Sequence, residues 1–578
     1  MMSIRVVNAG DGYAYLLRNV ATADIDTGTK TKLGDYYQAT GTPPGRWYGR
    51  GLTSLDSTAI TAGTTVTQEH MAALYGEGLH PEADSRIANG ASIADVQLGR
   101  AYPFYSGGHQ VLKELSTMEK QFRYHAGRRP TEQERNTIAV DVARKHYSDE
   151  TGYSNATPKE ILAWVNEKKN SVRQATAGFD LTFSPAKSIS VLWALGDEET
   201  RKTIESVHSE CVSASLDWLD NNALRTRCEV NGVKKITRTR GLIAAQFVHY
   251  DTRSGDPDLH THCLVSNKVQ GPDGKWRSVD SRSLMKFAVA ASTHYNALMM
   301  QRLGDELDLA FTNYETDPAK QPVWEVAGID PKMIAHFSKR RAGARPRYEQ
   351  LREAYRQAHG RTPGLRASRK LWQQAVLDTR PSKDAAHSLQ SLRQTWQAEA
   401  RQFFGNSATD AVEKNVSHAA DTRTIAPAVD SDGWGDFVTE QAESAIALAV
   451  SRRSEFRRHH LHTAVEQELS AWIFPSQRAR ALATAHVMDR ALESAVRLTP
   501  QPSYRIPGRL LTEDGELFDG RPVSWSAWFS LRVRVDTLAS WSWPQLDCLA
   551  ISTGSSGSSV FRYSHHACRC FLGSAHYH

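Results

Sequence analysis

The sequence predicts an α+β fold, a sheet with helices packed on it, and three observations point there. Strand-like and helix-like stretches alternate without the regular strand–helix repeat that a parallel sheet requires. Two alternating runs between Gly241 and Val265, separated by a polar turn, read as one β-hairpin. Long polar stretches with apolar residues at 3.6-residue spacing lie on both sides of it. At roughly 150 residues per domain, the 578-residue chain has room for three or four domains.

Taken in order, residues 1 to about 75 mix short strands with glycine-rich turns, including Thr40-Gly-Thr-Pro-Pro-Gly-Arg-Trp47-Tyr-Gly-Arg-Gly51. From about 79 to 175 the pattern is polar and helical, notably over Val111 to His125 and Thr131 to His146. The second of these opens on a capping-box pattern, Thr131 with Glu134 three residues on. The stretch reads as a helical insertion. Gly178 to Phe183 alternates as a strand, turns at Ser184-Pro-Ala-Lys187, and is predicted to resume as a second strand over Ser188 to Trp193. Asp197 then caps a helix with apolar positions Ile204, Val207, Cys211, Ala214 and Trp218, and after the histidine hairpin a further helix is predicted from about Ser283 to Leu303.

Between Pro331 and Ala400 fifteen Lys and Arg stand against five Asp and Glu, so this segment holds more than the whole chain's net charge of +6. Its interleaved Phe337, Tyr348, Tyr355 and Trp372 point to nucleic acid, because aromatics stack on unpaired bases while cations neutralise phosphate. A solvated helix surface is the alternative. Phe403 to Asp436 lacks a clear period and reads as a linker, and 437 to 497 is amphipathic and helical. From about Arg521 the composition breaks: twelve serines, four tryptophans (Trp525, Trp528, Trp541, Trp543), three of the six cysteines, and no lysine. This tail reads as a translation in the wrong frame. A metal-binding tail built from His565, His566, Cys568 and Cys570 is the alternative.

No stretch approaches the ~20 apolar residues that span a bilayer, and the N-terminus lacks an apolar signal core. The six cysteines form no CxxC pair, which suggests reduced thiols in a cytoplasm. No GxxxxGK[ST] occurs, so neither a nucleotide cofactor nor ATP-driven helicase activity is expected.

Chemistry concentrates in the hairpin. Residues two apart on a strand share a face, so His260 and His262 point the same way, and His249 at the end of the partner strand can reach them. Three neutral imidazoles make a metal site with room for a substrate oxygen. Near the N-terminus stand Tyr13, Tyr15 and the adjacent Tyr36 and Tyr37. Tyrosine attacks phosphorus to give a covalent ester that conserves the bond energy for resealing. With a free pKa of about 10 it needs a base or a nearby cation, and Asp180 is placed to be that base or to orient a metal-ligating imidazole.

Together, Gly178-Phe-Asp-Leu-Thr-Phe-Ser-Pro-Ala-Lys-Ser188, the Asp256-Pro-Asp-Leu-His-Thr-His262 strand with His249 upstream, and Tyr36-Tyr37 followed by Gly-Arg-Trp47-Tyr-Gly-Arg-Gly51 closely resemble the MobF-class conjugative relaxases of the TrwC/TraI type. The resemblance spans roughly residues 1 to 405. It implies the fold of the HUH endonucleases, an antiparallel five-stranded sheet carrying the histidine triad with a helical lid closing over single-stranded DNA. It also implies site-specific nicking and joining of plasmid transfer-origin DNA through a 5′-phosphotyrosine. By that resemblance His249, His260 and His262 hold a divalent metal (Mg, Mn or Zn), and Asp180 is the acidic residue beside the tyrosine. The first nucleophile falls on Tyr15, with Tyr13 a rival because this chain has Tyr-Ala-Tyr where the tyrosines are usually adjacent, and the second pair falls on Tyr36 and Tyr37.

The resemblance further implies that Lys187 neutralises phosphate and that a relaxase core over 1–328 is followed by a basic lid over 329–405, with Lys339, Arg340 and Arg341 as DNA contacts. Residues 406–436 would then be a linker, 437–519 the start of a truncated helicase-like domain, and 520–578 an atypical, disordered tail. Implied partners are single-stranded transfer-origin DNA, accessory relaxosome proteins and a type IV secretion coupling protein, with no membrane. A rolling-circle replication initiator and a non-catalytic single-stranded DNA-binding remnant are the competing expectations.

Overall fold

Five strands, β1 (Met2–Asn8), β2 (Arg46–Tyr48), β3 (Thr176–Phe183), β4 (Ala244–Asp251) and β5 (Pro257–Ser266), form one sheet in the computed structural model. Their spatial order is β1-β3-β5-β4-β2, and every neighbouring pair is antiparallel. The structure describes residues 1–21, 43–230, 233–314, 322–380 and 388–497, together with the short strands Trp528–Ser530, Ile551–Thr553 and Ser559–Phe561. Tyr36, Tyr37 and most of the expected tail, including Trp525, Trp541, Trp543 and the His565 to Cys570 cluster, lie outside the described residues. Trp528–Ser530 pairs antiparallel with Ala495–Arg497.

Strand alternation gives the sheet two different faces. Phe179, Leu181 and Phe183 of β3 and Leu259, Cys263 and Val265 of β5 join one large core with the helices Lys187–Leu195, Glu198–Asn222 and Ala288–Leu307. The opposite face is apolar along part of its length only. There Val7, Ala245, Phe247 and Leu264 pack with Leu16, Leu17, Trp47 and Tyr75 from the N-terminal segments. The strand positions beyond that patch carry Asp180, Thr182, His249, His260 and His262.

Three helices, Gln110–Ala126, Glu132–Thr151 and Pro158–Ser171, enclose their own small core around Leu115, Ala143 and Trp164. The second begins on the Thr131/Glu134 capping box. Asp197 accepts the Thr200 amide at 2.7 Å and starts the long helix that follows.

Two elements differ from the sequence expectation. Ser188 to Trp193, expected as a strand, lies in the helix Lys187–Leu195. Every residue from Ser188 to Leu195 is buried, so no polar face marks the helical period, and a short apolar run bounded by turn residues fits either element. Glu325 settles the outcome by accepting the Ser188 amide at 2.9 Å, and Ser188 Oγ in turn accepts the Val326 amide at 2.8 Å. Within the stretch expected to lack a period, Ala408–Ser417 is a helix whose Ala408, Val412 and Val416 enter the main core at four-residue spacing.

The basic segment divides in two. The helices Lys339–His359 and Leu365–Asp378 pack on each other at the surface. The helix Leu389–Phe404 instead inserts Leu392, Trp396 and Ala400 into the main core. Beyond it, Trp434–Arg452, Arg458–Leu469 and Gln477–Ser494 enclose a separate core around Phe437, Leu461, Val465 and Val487. No helix among the described residues is long and apolar enough to cross a membrane.

Candidate active site and metal centre

In the β4–β5 hairpin His249 lies opposite His260 and Phe247 opposite His262, with a register shift after His249. Leu259, Thr261 and Cys263 alternate with the histidines and are buried on the helix-covered face. The three imidazole centres stand 5.0 to 5.2 Å apart. One ring nitrogen from each lies within 4.8 Å of the other two.

Their outer partners select the tautomer. His260 Nδ1 donates to the Asp258 carbonyl at 2.7 Å, and His262 Nδ1 to Asp180 Oδ2 at 2.9 Å. Carbonyl and carboxylate oxygens only accept, so each Nδ1 carries the proton and each Nε2 keeps a lone pair. Burial holds the His260 pKa below its usual value, which favours the neutral, ligating form. Three neutral imidazoles fit a divalent metal and leave coordination positions for substrate.

The tyrosines are separated by their surroundings. Between β1 and the helix Ala14–Ala21 the chain turns at Gly12, where a Cβ would stand 2.1 Å from the Asn8 carbonyl oxygen. This turn sends Tyr13 into the apolar cluster, where it is 6% exposed and burial pushes its pKa up to about 12. Tyr15 instead donates its hydroxyl to Asp180 Oδ2, and its ring meets His262 edge-on at 6.2 Å. Burial first, then the Asp180 charge, raises the Tyr15 pKa well above the ordinary phenol value. Arg5 lies 5.2 Å over the same ring. A tyrosine, a carboxylate and an imidazole thus form one hydrogen-bonded row beside the three convergent histidines.

Residues 9–403 match the family model described as TrwC relaxase. The chain belongs to the TrwC relaxase family. Two curated relatives, the multifunctional conjugation protein TraI of Escherichia coli (strain K12) and a second Escherichia coli TraI, are each 29% identical over 290 residues, 48% of this chain. The chain spans only 15% of the length of these relatives. Among solved structures it is similar to the conjugative relaxase TrwC in complex with oriT DNA in a metal-free form, at 21% identity and a TM-score of 0.41 over 70% of this chain and 99% of that one. The metal-bound TrwC complex gives 21% identity and a TM-score of 0.42 with the same coverage.

In this TrwC-family relaxase the four predicted DNA-contacting cations have different surroundings. Lys187 donates to the Pro257 carbonyl at the start of β5, and burial lowers its pKa. Lys339 bonds Glu399 at 2.7 Å and stands 3.8 Å from the buried Asp256. Arg340 and Arg341 are exposed. Sequence reasoning missed that Arg340 belongs to a group: Arg5, Arg253 and Arg340 lie near Arg380, whose pKa burial and these three charges depress. It also missed Thr182, whose Oγ1 is 3.2 Å from His262 Nδ1. Thr182 was legible as the residue two beyond Asp180 on a strand; the arginines come from four separate segments and share no local signal.

Proposed function

We propose that this chain nicks and rejoins single-stranded DNA at a plasmid transfer origin by transesterification on Tyr15, aided by a divalent metal on His249, His260 and His262. The hydrogen-bonded row of Tyr15, Asp180 and His262 beside the triad carries this reading. Tyr15 Oη attacks the scissile phosphorus while Asp180 takes up the proton it already shares. The bond from phosphorus to the 3′-oxygen breaks, that oxygen leaves and gains a proton from solvent, and the 5′-phosphate stays esterified to Tyr15. Rejoining reverses these steps from the 3′-hydroxyl. A bound metal would polarise the phosphate and stabilise charge developing on its oxygens.

The raised Tyr15 pKa makes assistance necessary, because almost no phenolate exists at neutral pH. Arg5, Arg253, Arg340 and Arg380, which lie near one another, are the cations this reading assigns to the DNA phosphates. Tyr36 and Tyr37 remain the proposed second nucleophiles. Family membership favours a transfer origin over a replication origin, and accessory relaxosome proteins and a type IV coupling protein are the partners that follow.

Labelled single-stranded transfer-origin DNA tests the reading. His260→Ala and His262→Ala should each lower cleavage by at least about 100-fold while DNA affinity changes little, because the metal acts on the phosphate rather than the bases. Parallel loss of binding and cleavage would reduce the histidines to a structural role.

A further inference from the structure

A second group of potential ligands lies where the C-terminal helices meet the relaxase core. His294 comes from Ala288–Leu307, and His462 and Glu466 from Arg458–Leu469. One ligand atom from each lies within 4.8 Å of the others. His462 and Glu466 are four residues apart and so share a helix face. His294 Nδ1 is 3.1 Å and His462 Nε2 is 4.0 Å from the same oxygen, Glu466 Oε1. Ligand atoms about 2.1 Å from a tetrahedral metal stand about 3.4 Å from each other, so these separations need only a small closure.

The carboxylate is held in place although Arg458 and Arg480 set positive charge near His462. Arg480 bonds Glu466 Oε2 at 2.9 Å and the Leu469 carbonyl at 3.0 Å, which fixes the carboxylate and leaves Oε1 facing the imidazoles. Hydrogen bonding of a ligating carboxylate through its other oxygen is the usual outer-shell arrangement of a metal site. His462 Nδ1 is buried without a hydrogen-bond partner, and Nε2 makes no contact of hydrogen-bond length with Glu466. The ring is therefore held beside a carboxylate without a normal hydrogen bond to it. Trp218 packs against both imidazoles, 5.2 Å from His294 and 4.7 Å from His462.

We propose that His294, His462 and Glu466 form a second metal site, separate from the histidine triad, that takes a borderline divalent cation such as Zn²⁺ and clips the C-terminal helices to the relaxase core. Two imidazoles and one carboxylate are the donor set such a cation prefers. The three donors join two helices that belong to different cores, so occupancy strengthens the junction between them by mass action.

The test uses the full chain, stripped with chelator, reloaded with Zn²⁺ and analysed for bound metal. His294→Ala with His462→Ala should lose one equivalent relative to the unsubstituted chain, and adding His260→Ala and His262→Ala should lose a second. Any metal held by the tail cancels in these differences. His462→Gln, which keeps the side-chain volume and a polar end, should show the same one-equivalent loss with an unchanged circular dichroism spectrum. Cu²⁺ should quench a tryptophan fluorescence component that Trp218→Phe removes. Equal metal content in the unsubstituted chain and in His462→Gln, or quenching unaffected by Trp218→Phe, would overturn the proposal.

Discussion

Tyr13 and Tyr15 differ by two positions, and the turn at Gly12 decides which of them meets Asp180. Tyr15→Phe should abolish the covalent protein–DNA adduct, whereas Tyr13→Phe should leave adduct formation largely intact and act on stability alone. A gel assay for the adduct checks both, and an undiminished adduct in Tyr15→Phe would move the nucleophile elsewhere. His208 sits on the other side of the sheet, bonded to Tyr295 Oη at 2.7 Å and Thr261 Oγ1 at 2.8 Å. Burial lowers its pKa to about 3, against about 6.5 in an unfolded chain. The unfolded state therefore binds the extra proton between those values, so this contribution to stability is complete above pH 6.5 and is lost as pH falls toward 3, at up to about 1.4 kcal/mol per unit. His208→Gln should flatten the acid limb of a denaturation series by that slope; an unchanged limb would mean that the ring is not buried in solution.

At the level of elements, the hairpin is held from outside the sheet. Gly255 at its tip has φ 73° and offers its carbonyl to Trp396 Nε1 at 2.7 Å, and the neighbouring Asp256 faces Lys339. The segment expected as a basic lid over 329–405 thus also contributes Phe337, Leu392, Trp396 and Ala400 to the main core. Ending the chain after Gly328 would strip Phe337, Leu392, Trp396 and Val412 from that core, and Trp396→Ala alone should cost about 3–5 kcal/mol. The DNA contribution is better tested by charge. Arg340→Gln with Arg341→Gln should weaken single-strand binding and lower the slope of log affinity against log salt by about 0.7 for each phosphate that is no longer neutralised. An unchanged slope would leave this end of the helix as solvated surface. The histidine hairpin was legible in the sequence because its alternation is local, its turn carries Gly255, and Pro257 opens the second strand. The helix over Ser188 to Trp193 was not, since burial on all sides erases the period that distinguishes a helix. Nor was the arginine group around Arg380, whose members meet only through tertiary packing.

For the whole molecule, the sheet order places strands far apart in the chain side by side. β1, which leads directly to Tyr15, pairs with β3 some 170 residues later, and β3 pairs with β5, which carries His260 and His262. Local helices such as Glu132–Thr151 can form as they appear, but this ladder closes only when distant segments meet. During synthesis at about 5–20 residues per second, Tyr15 leaves the ribosome on the order of ten seconds or more ahead of the histidines it will face. For that interval the nascent chain carries Tyr15, the proposed nucleophile, without the groups proposed to activate it, which join it only when β5 has emerged and taken its place between β3 and β4.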